Sequence, residues 1–290
     1  MDDDTYSLTP SVLDYEYENG RRYHAYHAGR YLMPNDDKEQ DRLDMLHHIY
    51  LLCWDGELHR APLKSVRKAL DVGCGTGIWA IDFADLHVEA EVTAIDLSPI
   101  QPSYVPENLQ FEIVDIEDDW DYTEPFDYIH IRGMEASIGD WPRLIQQAYD
   151  NLAPGGVIEI FDFEARASTD DDSLPESSAY HQLNVLFAEA AEKMGKPVGV
   201  SARYPEFLAA AGFRDVCHET RKVPLTPWQS EPKMRTLGHY MQLAMSESFE
   251  PYTLATFTRA LDWNYNMVQA LIAGARQDLK NPDYHIYTVA

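Results

Sequence analysis

The 290-residue sequence has few basic residues and no long apolar run. It carries 23 lysines and arginines against 49 aspartates and glutamates, and the resulting formal charge of -26 repels nucleic-acid phosphates. Direct nucleic-acid binding is therefore disfavoured, and small molecules or proteins are the expected partners. No segment is apolar over the roughly 20 residues of a membrane-spanning helix, and the acidic start MDDDTYSLTP lacks the pattern of a secretory signal. We expect no membrane association and a location in the cytoplasm or the nucleus.

Cysteine is also scarce. Cys53, Cys74 and Cys217 are scattered and form no C-x-x-C pair, which argues against a disulfide framework and against a cysteine-ligated zinc. His47 and His48 are adjacent, but neighbouring side chains on a helix point about 100° apart, so both cannot easily face one ion. We interpret them as ordinary helix residues and expect no metal site.

The order of the predicted elements indicates an α/β fold. A first helix is expected at residues 35 to 60, with Asn35 or Asp36 as its N-cap. Beyond it, helical segments alternate with five apolar strands, KALDVGCG, EVTAID, LQFEIVD, FDYIHIRG and GVIEIFDF. This alternation predicts a parallel sheet covered on both faces. Residues 1–62 are expected to form an N-terminal helical cap, and residues 63–290 the main domain.

A helical insertion is predicted at residues 226–280, before the last strand. Apolar residues recur there at roughly helical spacing: Trp228, Met234, Leu237, Met241 and Met245. Two more helices are expected at LATFTRALDW and NMVQALIAGARQDL. The apolar side of this insertion either packs in the core or shapes an adaptable apolar pocket or partner surface.

The stretch LDVGCGTG, at residues 70–77, is the most informative motif. A strand ends near Asp71, and Gly73, Gly75 and Gly77 follow, so the backbone can approach a ligand where no Cβ intervenes. A nucleotide-like cofactor fits such a turn. The spacing G-x-G-x-G differs from the G-x-G-x-x-G of dinucleotide sites, which disfavours NAD and FAD. The alternative for Asp71 is that it only holds the turn through hydrogen bonds.

LDVGCGTG resembles motif I of the S-adenosylmethionine (SAM)-dependent methyltransferases with a seven-stranded Rossmann-like sheet. The resemblance implies SAM as cofactor and S-adenosylhomocysteine (SAH) as product. Later segments also resemble the family's markers, including LAPGG before strand five and AAAGFRDV before strand six. By this resemblance Asp96, followed by Leu97, accepts the ribose hydroxyls. Asp115 accepts the adenine amino group, with the amide of Ile116 nearby.

Longer blocks resemble the fungal LaeA-like methyltransferases, which include enzymes of secondary metabolism and regulatory proteins. These blocks include ENGRRYHAY, PNDDKEQDRLD, DLSPIQPSYVPENLQFEIVD and IHIRGMEASIGDWPRLIQQAY. The resemblance implies methyl transfer to a small-molecule hydroxyl or carboxylate. The alternative is a SAM-binding regulatory subunit of a protein complex, which methylates a protein or nothing. The family's last strand is expected to run beyond HIYTVA, so the tail is expected to be missing.

The basic, aromatic stretch NGRRYHAYHAGRY is predicted to form a lid over the cofactor. In a helix, one face would carry Tyr23, Tyr26, His27, Arg30 and Tyr31. An arginine of this stretch is expected to bind the SAM carboxylate, and tyrosine rings to receive the sulfonium through a cation–π contact. Arg22 and Tyr23 are the candidates for cofactor binding. The alternative is that the tyrosines are core residues and that the arginines balance nearby acids.

The stretch HIRGMEAS, at the end of the fourth predicted strand, carries the catalytic candidates. Methyl transfer from a sulfonium needs an oriented acceptor and exclusion of water, and it needs a base only for an acceptor such as a hydroxyl. His130 is a candidate base, although a buried strand histidine is more often a hydrogen-bonded core residue. Arg132 is a candidate for binding the cofactor or an acidic acceptor. Glu135 is a candidate for steering or proton removal.

Overall fold

The structure, a computed structural model, describes residues 15–27 and 29–290. Its strands are β1 Glu16–Glu18, β2 Arg21–Tyr23, β3 Lys68–Val72, β4 Glu91–Asp96, β5 Leu109–Ile113, β6 Phe126–Arg132, β7 Leu152–Phe161, β8 Lys222–Pro224 and β9 Tyr287–Val289. Its α-helices are α1 Asp37–Cys53, α2 Ile78–Leu86, α3 Trp141–Asp150, α4 Ala179–Lys193, α5 Tyr204–Ala211, α6 Pro232–Ala260 and α7 Tyr265–Asp278. The part of the predicted cap at residues 1–14 lies outside the described residues.

The central sheet is parallel and has the order β5-β4-β3-β6-β7. Its five strands are the five predicted from the sequence, and their inner residues, such as Leu70, Ile129 and Ile131, are fully buried. The chain runs from β3 to one edge and then returns to β6 on the other side of β3. Such a reversal leaves a crevice at the carboxyl ends of β3 and β6, which is where α/β sheets bind ligands.

The last two strands, β8 and β9, pair with each other beside this sheet. β8 and β9 are antiparallel, and the Glu164 amide beyond β7 donates to the Val289 carbonyl at 2.8 Å. An isolated bridge also joins Ser168 to Tyr287. The parallel sheet and the neighbouring pair together contain seven strands, and the β1–β2 hairpin is a separate sheet.

The N-terminal cap differs from its prediction. β1 and β2 form a hairpin whose turn holds Asn19 at φ 53° and Gly20 at φ 80°. The helix predicted over residues 23–31 is wrong, because β2 includes Tyr23 and the later turn has His27 at φ 50° and Gly29 at φ 86°. Asn-Gly with two positive φ angles is the typical signal of a tight hairpin. The first helix is confirmed as α1, although it ends at Cys53 and not near residue 60.

The Asp36 side chain caps α1 by accepting from the Glu39 amide at 3.0 Å. The insertion is also helical as predicted, but α6 is one 29-residue helix with Pro251 inside it, and it includes most of the segment LATFTRALDW. The prediction of a separate helix there is wrong. Among the described residues, no helix combines the length and apolarity needed to cross a membrane.

Cap and insertion share one apolar core with α4. Ile49 of α1, Phe187 of α4, Leu237 of α6 and Val268 of α7 all belong to it. This packing brings α1, α4 and α6 together over the carboxyl ends of the central strands. The side chains that these helices turn inward therefore shape the space above the sheet.

Candidate cofactor and acceptor site

A cavity lies at the carboxyl ends of β3, β4, β6 and β7, under α1, α4 and α6. Its polar half is lined by most of the residues predicted to bind a cofactor: Asp71, Gly73, Gly75, Asp96, Leu97, Asp115 and Ile116. Its apolar half is lined mainly by aromatic and methionine side chains, such as Tyr50, Phe163, Phe187, Met241, Phe249 and Tyr252.

The glycine motif has two kinds of glycine. Gly73 and Gly75 line the cavity with φ angles of 74° and 56°, so the backbone itself faces the space available to a ligand. Gly77 does not line the cavity. It precedes α2 with φ 79°, and a Cβ there would overlap the ring of Phe111. Gly77 therefore serves close packing of helix and sheet rather than ligand contact.

Asp96 ends β4 at the wall of the cavity. Its two carboxylate oxygens accept the amides of Gly75 and Ser98, each at 2.8 Å. Burial raises its pKa to about 6, although these two amides oppose the shift. Each oxygen keeps a lone pair for a further donor, so the carboxylate fits a vicinal diol such as a ribose.

Asp115 lies at the opposite end of the polar half. Burial alone would raise its pKa, but a 2.8 Å contact with His27 Nδ1 and the amide of Glu117 hold the pKa below its usual value. His27, Asp115 and Asp118 are the one set of described residues with ligand atoms close enough to share a metal ion, and the hydrogen bond accounts for that geometry. Arg30 Nε lies 3.9 Å from the same carboxylate.

The structure places Arg22 and Tyr23 outside the cavity. The Arg22 guanidinium donates to Asn35 Oδ1 at 3.1 Å and to the Asn35 carbonyl at 2.6 Å. Tyr23 is only 2% exposed and packs under Arg259. From the same stretch, Arg30 and Tyr31 do line the cavity. The polar half is therefore lined by the turn that follows the hairpin, and not by one face of a helix.

Arg132 ends β6 where the two halves of the cavity meet. Its guanidinium lies over the ring of Tyr50, with Cζ 4.6 Å from the ring centroid, and donates to His47 Nδ1 at 3.0 Å. Burial lowers its pKa, and among the described residues no carboxylate forms an ion pair with it. Arginine stays protonated in proteins, so this cation faces the cavity without an anionic partner.

His47 supports Arg132. Burial lowers the pKa of His47 to about 3, with the nearby Arg132 charge acting in the same direction. The neutral ring accepts from Arg132 through Nδ1 and donates through Nε2 to Asp82 at 3.0 Å. Interpreting His47 as an ordinary helix residue missed this contact.

His130 is 2% exposed and hydrogen-bonded inside the sheet. Its Nδ1 donates to Asp71 Oδ1 at 2.8 Å, and its ring stacks on Trp79 with centroids 3.5 Å apart. Burial lowers its pKa, against the effect of Asp71. Both His130 and Asp71 line the polar half, and their roles there stay predictions.

Glu135 organises the loops beside β6. One carboxylate oxygen accepts the amides of Gly199 at 2.7 Å and Val200 at 3.1 Å, and the other accepts the amide of Ala165. Burial raises its pKa despite these donors. Three backbone amides hold its oxygens, so Glu135 joins the loops that carry Ala165 and Gly199, and its part in proton removal stays a prediction.

Sequence reasoning also missed Asp162 and the whole of α4. Asp162 follows β7, lines the cavity and is 6% exposed. α4 contributes Tyr180, Leu183 and Phe187 to the cavity wall. The helical spacing of these three residues was a signal that could have found the helix. Asp162 could have been found because it follows GVIEIF, as the other site residues follow their strands.

Comparison with known proteins gives consistent results. A family model described as a methyltransferase domain matches residues 45–218. Methyltransferase pytC of Aspergillus terreus is 41% identical over 96% of this chain and 87% of its own length. Protein-methionine methyltransferase laeA of Emericella nidulans is 35% identical over 98% of this chain and 77% of its own length.

A solved structure shares the fold. The cyclopropane synthase MmaA2 from Mycobacterium tuberculosis aligns with a TM-score of 0.51 at 18% sequence identity, covering 84% of this chain and 81% of that chain. At this identity the likeness concerns the fold alone. It agrees with the predicted Rossmann-like architecture.

Proposed function

The chain belongs to the LaeA-like methyltransferases of fungi, and we propose that it methylates a hydroxyl or carboxylate of a small apolar molecule in secondary metabolism. It is a SAM-dependent methyltransferase, as the family model and the relatives indicate. The choice of acceptor rests on the apolar half of the cavity, which adjoins the glycine loop. Pockets for small ligands are usually apolar with a few placed polar groups.

The polar half fits the three parts of SAM. Asp96 has lone pairs for the ribose hydroxyls, and Asp115 with the Ile116 amide suits the adenine edge. Arg132 is a buried cation without an anionic partner, and the methionyl carboxylate of SAM would supply one. When bound, SAM supplies a methyl group on a positively charged sulfur.

The hairpin residues support this site indirectly. Arg22 holds the chain at Asn35, and Tyr23 packs beneath Arg259, so both fix the segment from which Arg30 and Tyr31 reach the cavity. We propose that changing Arg22 or Tyr23 weakens SAM affinity without unfolding the protein. Unchanged affinity in both variants would contradict a role of this segment in cofactor binding.

The apolar half suits a metabolite better than a charged protein tail. Side chains from α1, α4 and α6 surround it, including Tyr50, Leu183, Phe187 and Met245. Methionine and aromatic side chains adapt to apolar ligands and exclude water from the reacting atoms. Water exclusion and orientation supply much of the rate in a displacement of this kind.

Two measurements test the proposal. Calorimetric titration with SAM, SAH and NADH should show binding of the first two only. The protein is then incubated with methyl-labelled SAM and, separately, with fungal small-molecule extract or protein fractions. Label in extractable small molecules supports the proposal, and label in protein alone would contradict it.

A protein acceptor is the second candidate. One relative is named a protein-methionine methyltransferase, and the formal charge of -26 would favour a basic partner. In this alternative the chain acts as a SAM-binding subunit of a regulatory complex. The labelled-methyl experiment separates the two candidates, because they place the label in different fractions.

A further inference from the structure

Most carboxylates that line the cavity are already occupied. Asp71 is bound by His130, and Asp115 by His27. Asp96 serves the ribose position under the proposed function, while Glu135 accepts three backbone amides. Glu117 pairs with Lys196, and Glu164 lies beyond β7 but is only partly buried. Asp162, which is 6% exposed, is the buried carboxylate that follows β7 at the border of the apolar half.

The carboxylate of Asp162 is held by hydrogen-bond donors that carry no charge. Oδ1 accepts the Glu135 amide at 3.0 Å, and Oδ2 accepts the Tyr204 hydroxyl at 2.6 Å. In the described chain, no lysine, arginine or histidine pairs with it. The amide of Met134 is a third donor to this carboxylate, and its two oxygens have four lone pairs, so one lone pair is left for a proton donor from the cavity.

The strand register places Asp162 beside the reacting end of the cavity. Phe161 pairs with Arg132 across β6 and β7, and the Gly133 amide donates to the Phe161 carbonyl at 3.0 Å. Asp162 therefore follows β7 at the level where Gly133 follows β6. Gly133, Tyr50 and Asp162 all line the cavity, and the Tyr50 hydroxyl lies 3.2 Å from the position that a Cβ on Gly133 would take. An acceptor beside Asp162 would therefore lie against the Tyr50 hydroxyl.

We propose that Asp162 is the general base for methylation of an aromatic hydroxyl, held in place by Tyr204 and the Glu135 amide. This inference rests on the proposed function. In the step, an Asp162 oxygen takes the hydroxyl proton as the acceptor oxygen forms a bond to the methyl carbon. The carbon–sulfur bond of SAM breaks, and its electron pair stays on sulfur to give SAH. The proton leaves Asp162 for solvent after product release.

Two features favour an aromatic hydroxyl over other oxygen acceptors. The apolar half is lined by flat rings, including Tyr50, Phe163 and Phe249, which favour offset or edge contacts with another ring. A phenol has a pKa of about 10, near enough to a carboxylate of raised pKa for effective proton transfer. A carboxylate acceptor would need no base and would face the like charge of Asp162.

The electrostatic setting is consistent with a base. Burial raises the pKa of Asp162 to about 7, the charge of Glu135 acts in the same direction, and the Tyr204 hydroxyl and the amides of Glu135 and Met134 oppose it. Two further hydroxyls, of Tyr50 and Tyr252, have pKa values raised mainly by burial and also by the charge of Asp162. At neutral pH a large part of the protein carries the ionised, proton-accepting form.

The activity test uses two phenols with methyl-labelled SAM. 1-Naphthol is protonated at neutral pH, whereas 4-nitrophenol is largely ionised at pH 8. Asp162→Asn should lower kcat for 1-naphthol by about 10²-fold or more, and it should affect 4-nitrophenol much less. Tyr204→Phe should move the rise of kcat with pH to higher pH, because it removes a hydrogen bond that favours the ionised carboxylate. Asp170→Asn, an exposed carboxylate paired with Lys222, is the control.

A binding measurement without turnover tests the same contact. With SAH present, the visible absorption of bound 4-nitrophenol reports its ionisation. The bound phenol should ionise at higher pH in the wild type than in Asp162→Asn, because the aspartate charge opposes the phenolate. Equal ionisation, equal loss of kcat with both phenols, or no binding of either phenol would overturn the inference. A labelled product that is a methyl ester would also overturn it and leave the proposed function standing.

Discussion

Replacing Arg132 by glutamine tests how the cofactor is held. The guanidinium is buried, lies over Tyr50, donates to His47 and has no carboxylate partner in the described chain. A hydrogen bond to a charged group contributes about 1.5–3 kcal/mol, so the loss of contact with the SAH carboxylate should raise Kd roughly 10- to 150-fold. Calorimetric titration measures this change.

A ligand control separates this contact from general damage. The analogue of SAH that lacks only the carboxylate should bind the wild type weakly, and Arg132→Gln should bind it about as well as the wild type does. Arg203→Gln, at an exposed site, should leave both affinities unchanged. Unchanged SAH affinity in Arg132→Gln, or equal losses for SAH and its analogue, would refute the reasoning.

Three stability predictions follow from buried groups, all measured by urea unfolding. Gly77→Ala should lose about 1–3 kcal/mol more than Gly155→Ala, because both need a positive φ but only the methyl group at 77 meets a ring; equal losses would contradict this. Glu39→Gln should cost about 3–5 kcal/mol by leaving the buried Arg42 unpaired, and adding Arg42→Met should recover much of it. Because folding raises the pKa of Asp162 from 3.8 to about 7, the wild type loses stability from this group as pH rises through that range. Asp162→Asn should therefore gain stability relative to the wild type between about pH 4 and pH 7, and the difference should level off above that range. A difference that does not change with pH would refute the sign.

The polar half was largely predictable because its signals are local. Gly73, Gly75, Asp96 and Asp115 each follow a short apolar strand, and parallel strands bring their carboxyl ends to one edge of the sheet. The expected roles of Asp96 and Asp115 came from the family resemblance, whereas those of Gly73 and Gly75 followed from the absence of a Cβ at the turn. Gly77 carried the same signal but serves helix packing, which the spacing of the motif could not distinguish.

The apolar half was not predictable in the same way. Phe187 of α4 and Met241 of α6 are distant in sequence and meet only through packing of the helices. The contact of His47 with Arg132 likewise joins α1 to β6. Such pairings depend on tertiary structure, whereas the periodicity of one segment gives only its own apolar face.

The hairpin shows how a pattern can mislead. Tyr23 and Tyr31 stand at helix-compatible intervals, but the preceding Asn19 and Gly20 adopt the positive φ angles of a tight turn. Turn chemistry fixed the local structure where side-chain spacing suggested a helix. The residues of this stretch that line the cavity are therefore Arg30 and Tyr31, in the turn that follows the hairpin, and not Arg22 and Tyr23.

A crystal structure of the protein with SAH tests the central claim most directly. The account predicts SAH in the cavity, with adenine beside Asp115, ribose hydroxyls on Asp96 and the carboxylate on Arg132. Its sulfur should face the apolar half. SAH bound outside this cavity, or bound with its carboxylate away from Arg132 and its sulfur away from the apolar half, would contradict the account.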